Sequence, residues 1–470
     1  MSDTTCANLE AAPARLPWRA LRRIFEGDAL AAFPSEAFEA EAVALRILGG
    51  RQFILNRPDA IRRVLVENPG NYARAAPTLR VLRPIFGRGL FLAEGEEWEA
   101  QRHTMASAFT PRAVRILARH VVLGVDRFIA DLGDREGEPV DLVPLLRRLA
   151  LGIIGQALFS LEMERWGDEL FALIGTYAVR LGRPAVGDFL VPGSWPSPSD
   201  FARARFRRDW RRLVGHIVAE RLARCGDGKP RDLFDLLVSS RRTGGIDLDG
   251  LADQVSTILV AGHDTTAAAL FWSLYLLARM PREQRRVAEE AAAAELEADT
   301  AAEDLPRLVY TRAFADEVLR FYPPAFVIVR RARREDRAGG LAIPRGSLVL
   351  VSPFVLHRHR GLWEAPERFD PSRFLPGMPP PPRLSYLPFG AGPRVCIGAQ
   401  FALTELVLAS ALLARAFDIA LPAGARTRPK AIVTTQPETP PPFLFEPRSD
   451  ARLRAARAAG HPALNSLVQT

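Results

Sequence analysis

The sequence predicts a mainly α-helical fold with a smaller β region, on three observations. Good helix formers with apolar residues at helical spacing dominate the chain between residues 60 and 322. Short alternating apolar stretches at residues 43–48 and 52–55, and again at 341–343 and 347–352, read as extended chain. Glycine and proline cluster between these runs and read as turns and loops.

Taken in order, the first extended pair surrounds Gly49-Gly50, residues suited to a tight hairpin loop. Helices are expected over residues 60–67, 96–108, 111–132, 145–161, 201–223, 251–279, 282–296 and 311–322. The second extended pair is split by Pro344-Arg345-Gly346 and reads as another hairpin. A proline-rich loop then leads to Pro388, and a last helix is expected over about 397–416, followed by short strands and a turn at 440–442. The proline-rich segments at 192–198 and 376–382 read as loops inside the fold, and no internal repeat is evident. Residues 1–470 are therefore read as one domain, with an extension over 1–40, a glycine-rich loop at 389–398 and a poorly defined tail over 448–470.

The composition narrows the classes. A chain of 470 residues with 48% hydrophobic content can bury a large core. Its only cysteines are Cys6, Cys225 and Cys396, which suggests no disulfide framework and fits a reducing cytoplasm. The net charge of +9 comes almost wholly from arginine, because Lys229 and Lys430 are the only lysines. Those arginines are dispersed, which argues against nucleic-acid binding; one basic face would instead suit an acidic partner. Charges at Asp3, Glu10, Arg15, Arg19, Arg22, Arg23 and Glu26 interrupt the first thirty residues, so no signal peptide or integral membrane anchor is expected there. The apolar segment 258–280 contains His263 and Asp264 and reads as a buried helix.

Residues 389–398, FGAGPRVCIG, place Cys396 in a loop of glycine and positive charge just before an apolar helical stretch. A thiolate survives beside positive charge and backbone N–H donors, and Arg394 and a helix N-terminus supply both. Gly390, Gly392 and Gly398 allow close backbone approach to a flat ligand. The spacing of Phe389, Gly392, Arg394, Cys396 and Gly398 resembles the haem-binding loop of the cytochrome P450 family at every one of these positions. That resemblance extends over roughly residues 56–437. It implies the cytochrome P450 fold and haem b, with Cys396 as the proximal iron ligand, Arg394 on a propionate and Phe389 packed beside the sulfur.

Further motifs agree. Ala261-Gly262-His263-Asp264-Thr265-Thr266 resembles the family signature in which small residues make room for dioxygen and an acid and an alcohol relay protons. By that resemblance Ala261 and Gly262 lie beside the iron, Asp264 and Thr265 are catalytic, and Thr266 supports the helix. Taken alone, buried Asp and Thr in an apolar helix are costly without partners, and a satisfied polar kink is the plainer reading. His263 occupies the variable position. Trp98 and Arg102 stand four apart on one helix face and resemble the propionate-binding helix. Arg331 lies where the family usually places a further propionate ligand, with Arg330 as its neighbour. Glu317 and Arg320, three apart, resemble the Glu-x-x-Arg pair, and Arg368 in PERF is expected as the third member of that structural cluster. His103 and His357 are expected to pack or hydrogen-bond locally.

Together the motifs imply a monooxygenase that inserts one oxygen atom of dioxygen into a hydrophobic small molecule. Electrons would come from NAD(P)H through a separate ferredoxin or flavodoxin and its reductase. Peroxide-driven oxygenation, hydroperoxide rearrangement and a non-catalytic haem sensor or carrier are the rivals. The acid–alcohol pair argues for dioxygen activation, and a fatty acid, terpenoid or aromatic fits the apolar pocket segments around Leu90, Phe91, Ala325, Phe326, Val327 and Ile328.

Overall fold

The computed structural model describes residues 12–13, 18–47, 50–182, 195–224, 231–242 and 246–448. Cys6, Cys225, Gly49 and the tail beyond 448 lie outside the described residues. The longer helices are α1 (Trp18–Phe25), α2 (Ala76–Phe86), α3 (Gly95–Ala106), α4 (Pro111–Gly133), α5 (Leu142–Phe159) and α6 (Glu164–Thr176). They continue with α7 (Pro198–Ala223), α8 (Leu233–Arg242), α9 (Leu248–Arg279), α10 (Pro281–Ala292), α11 (Val309–Phe321) and α12 (Ala399–Ala416).

The centre is α9, whose 32 residues give it a length of about 48 Å at 1.5 Å per residue. Asp247 caps it by accepting the Gly250 N–H at 2.6 Å, and Pro281 ends the continuous helical path just past Arg279. Its apolar residues run all round, and nearly every position from Leu251 to Leu277 is buried against α5, α7 and α12. Among the described residues two helices are apolar and long enough to cross a membrane, Leu142–Phe159 and Ala399–Ala416, and both are core helices here, with 56% and 78% of their length buried.

The strands are β1 (Ala12–Pro13), β2 (Ala42–Ile47), β3 (Gly50–Leu55), β4 (Tyr72–Ala73), β5 (Ile328–Ala332), β6 (Asp336–Ala338), β7 (Leu341–Ile343), β8 (Leu348–Val351), β9 (Phe417–Ala420), β10 (Pro429–Ala431), β11 (Thr435–Pro437) and β12 (Leu444–Pro447). The main sheet runs β1-β2-β3-β8-β5-β4, and three two-stranded pieces accompany it. The first expected hairpin forms, with Val43 opposite Ile54. The second does not. β7 pairs with β6, whereas β8 lies parallel to β3 and antiparallel to β5. Val349 and Val351 on β8 are thereby buried in the cluster with Phe53, Leu55 and Ala332, more apolar contact than a lone hairpin offers.

Candidate active site

The glycine-rich loop is held by its own backbone. Gly390 and Gly392 have φ of 76° and 74°, in the left-handed region. A Cβ on Gly392 would lie 1.9 Å from the Leu65 carbonyl oxygen, so only glycine fits there. The Cys396 N–H donates to the Phe389 carbonyl at 2.9 Å and closes the loop, and Gly398 then opens α12.

Cys396 is exposed to solvent although protein atoms crowd round it. Burial raises the thiol pKa, and the Gly398 backbone N–H and the Arg102 charge oppose that rise by favouring the thiolate. Arg102 is itself held below its ordinary range by desolvation, partly offset by the charge of Cys396.

Beside the loop stands a guanidinium cluster. Arg394 lies over the Trp98 ring at 4.6 Å and donates to the Ala93 carbonyl at 2.9 Å. Burial, with repulsion from Arg394, drives Arg330 down to about 10, and burial with repulsion from Arg394 and Arg330 drives Arg74 down to about 9. Glu94 alone opposes both shifts, and it also accepts the Arg74 backbone N–H and pairs with exposed Arg333. Three partly desolvated cations facing one shared carboxylate are short of negative charge, and the two propionates of a haem supply it. Donor set and thiol therefore fit haem. The place expected for Arg331 is taken by Arg330: along β5 successive side chains alternate, and Arg331 is exposed on the other face. Arg74 was not anticipated, since a lone arginine in NYARAA carries no spacing signal.

Between Asp253 and Leu277 the burial of α9 is broken only at Ala261, Gly262 and Thr265, which are partly accessible and form one stripe. The Thr265 hydroxyl donates to the Ala261 carbonyl at 2.7 Å. The Asp264 carboxylate lies elsewhere on the helix, 3.0 Å from Arg147 of α5, accepting from Thr434 at 2.8 Å and from Gln436 at 3.3 Å. Thr266 is buried. His263 is fully buried, with Nδ1 2.6 Å from the Leu259 carbonyl and its ring near Phe171, and desolvation lowers its pKa. It packs between helices.

Glu317 and Arg320 form a fully buried two-pronged pair, at 2.6 and 2.7 Å. Arg320 also donates to the carbonyls of His357, Pro366 and Arg368 at 2.8, 2.9 and 3.0 Å. The third side chain is not that of Arg368, which is exposed and contributes only its carbonyl. Arg373 fills that place, its Nε 3.6 Å from Glu317. PSRF, five residues on, repeats the Arg-Phe of PERF, and sequence spacing alone does not separate the two. Of the segments expected to wall the pocket, Leu90 and Phe326 are buried, Val327 and Ile328 half-buried, and Phe91 and Ala325 exposed.

Comparison with known proteins matches residues 39–443 to the family model described as Cytochrome P450. The chain is 31% identical to a cytokinin hydroxylase of Arabidopsis thaliana, over 77% of this chain and 72% of that protein. It is 31% identical to cyclooctatin synthase of Streptomyces melanosporofaciens, covering 85% and 87%, and 30% identical to cyclooctat-9-en-7-ol 5-monooxygenase of the same organism, covering 89% and 90%. The crystal structure of the cytochrome P450DA haem domain superposes with a TM-score of 0.74 at 24% identity, over 91% of each chain, and shares the fold. The chain belongs to the cytochrome P450 family and is a P450 monooxygenase.

Proposed function

We propose that this monooxygenase inserts oxygen into a hydrophobic small molecule at a haem held by Cys396. The observation that carries the reading is the meeting of an accessible thiol with the anion-poor cluster of Arg74, Arg330 and Arg394. Bound haem supplies the iron at which dioxygen is activated. The chain's own residues do the rest. Cys396 ligates the iron, the Gly398 N–H and Arg102 favour its thiolate, and Phe389 packs beside the sulfur. Trp98 orients Arg394, and Arg394, Arg330 and Arg74 take the propionates. Ala261 and Gly262 leave space for dioxygen, Thr265 holds a proton there, and Asp264 resupplies it. Glu317, Arg320 and Arg373 brace the loop from behind.

Electrons come from NAD(P)H through a separate ferredoxin or flavodoxin and its reductase, in the cytoplasm, where a free thiol persists. Residues 1–470 act as one domain, and Leu30, Phe33 and Ala37 of the segment before residue 40 pack into its core. The apolar lining by Leu90, Phe326, Val327 and Ile328 supports a hydrophobic substrate, as does the largely hydrocarbon alcohol in the name of the Streptomyces relative. Titration of the haem-loaded protein with cyclooctat-9-en-7-ol, fatty acids, steroids and small aromatics, followed by visible absorbance, tests this. One hydrophobic class is expected to shift the iron toward high spin. Tightest binding by a multiply charged compound would overturn it.

A further inference from the structure

Between α1, the turn that follows it and the β10–β11 hairpin lies a cavity of about 310 Å³. Its eight described lining residues are all charged, five basic and three acidic. Each carboxylate is taken by an arginine: Glu26 by Arg22 at 3.3 Å, Asp28 by Arg23, and Glu438 by Arg428 at 3.0 Å. Arg19 and Lys430 line the same space with no side-chain partner among the described residues. Two positive charges are thus left over there.

Buried contacts fix the floor of the cavity. The Asp28 carboxylate accepts the backbone N–H of Leu30 at 3.1 Å and that of Ala431 at 3.4 Å, the latter 403 residues further along the chain. Ala431 is buried in the cluster with Leu30 and Phe33, so strand alternation turns its neighbour Lys430 away from that core. Lys430 is half-buried, whereas Arg19 and Arg22 are exposed, so the cavity opens to solvent on the α1 side. Charge is felt across it: Arg428 chiefly holds the Glu438 carboxyl below its ordinary range, and Lys430 and Arg23 add to the effect. A phosphate monoester carries close to two negative charges near neutral pH and presents three acceptor oxygens, which matches two unpaired cations. A carboxylate or a chloride would leave one of them uncompensated.

We propose that this cavity is a binding site for a phosphate monoester, with Arg19 and Lys430 donating to its free oxygens and Arg22, Arg23 and Arg428 completing the positive wall. The organic group of the ester leaves through the open α1 side. A soluble phosphate ester and the headgroup of phosphatidic acid present this same chemistry. The cavity shares no residue with the cysteine loop, the guanidinium cluster beside it or the α9 stripe, so the site is separate from the one proposed for haem.

Titration calorimetry of the haem-loaded full chain with glycerol 3-phosphate, at about pH 7.5 and constant ionic strength, is expected to show one saturable site. Lys430→Gln and Arg19→Gln each remove one charge-assisted donor and should weaken it about tenfold. Arg368→Gln removes the same charge from an exposed position elsewhere and should leave it within about twofold. Flotation with phosphatidylcholine vesicles carrying phosphatidic acid or, at equal charge, phosphatidylglycerol separates the two sources. Binding to phosphatidic acid alone, displaced by glycerol 3-phosphate and lost in Lys430→Gln, assigns a lipid headgroup. Calorimetric binding without flotation assigns a soluble ester. No saturable binding, equal weakening by Arg368→Gln, or equal flotation with both lipids whatever stands at position 430 would overturn the site.

Discussion

The imidazole Nε2 of His357 accepts the backbone N–H of Leu387 at 2.8 Å, two residues before the loop that carries Cys396 begins at Phe389. Its Nδ1 lies 3.2 Å from the Arg320 carbonyl, so one neutral ring ties the buried Glu317–Arg320 pair to the approach of that loop.

That arrangement makes stability depend on pH. Burial, with Arg320 nearby, drives His357 down to about 3. The unfolded chain takes up its proton near the ordinary value of about 6.5, so between these limits the unfolded state binds more protons. The His357 contribution is therefore complete above about pH 6.5 and is lost as pH falls toward the folded value, on the order of a few kcal/mol in all. Denaturant unfolding measured from pH 7.5 to 4.5 should show a slope that is reduced in His357→Gln. An unchanged slope would show that other groups govern it.

Removal of Arg330 and removal of Arg331 should have unlike effects. Arg330 is in the cluster with Arg394 and Arg74, and Arg331 faces solvent. A charge-assisted hydrogen bond contributes roughly 1.5–3 kcal/mol, so Arg330→Ala is expected to speed haem loss to apomyoglobin about tenfold or more. Arg331→Ala should leave it within about twofold, as surface changes generally do. Equal effects would return the role to Arg331.

The structural cluster gives a similar contrast. Arg320→Leu leaves Glu317 buried without its main partner and should cost about 3–5 kcal/mol, enough to prevent accumulation of folded protein. Arg373→Ala is expected to lower the melting temperature by several degrees. Arg368→Ala, whose side chain is 74% exposed, should stay within about 0.5 kcal/mol of native. A large loss for Arg368 with none for Arg373 would reverse the assignment.

Much of this was legible before any coordinates. The α9 and α12 helices, the β2–β3 hairpin and the loop around Cys396 follow from apolar periodicity, turn residues and local spacing, which act over a few residues. What stayed hidden depends on contacts between distant segments. The β8 strand leaves its sequence neighbour for β3 because of burial, which no local pattern encodes. Helix α2 is absent from the expected helices; it contains Pro77, which a first turn tolerates, and Pro84 in its interior. The choice of Arg330 over Arg331 is a matter of strand register, and that of Arg373 over Arg368 a matter of loop path. The partners of Asp264 lie 117 and 170 residues away at Arg147 and Thr434.

The central claim is that Cys396 holds the haem iron through its sulfur, and the visible spectrum of the reduced, carbon-monoxide-bound protein, recorded for native and Cys396→Ala chains, tests it most directly. The native protein should show thiolate-type absorbance, and Cys396→Ala should lose it. Thiolate-type absorbance that persists in Cys396→Ala would contradict the account.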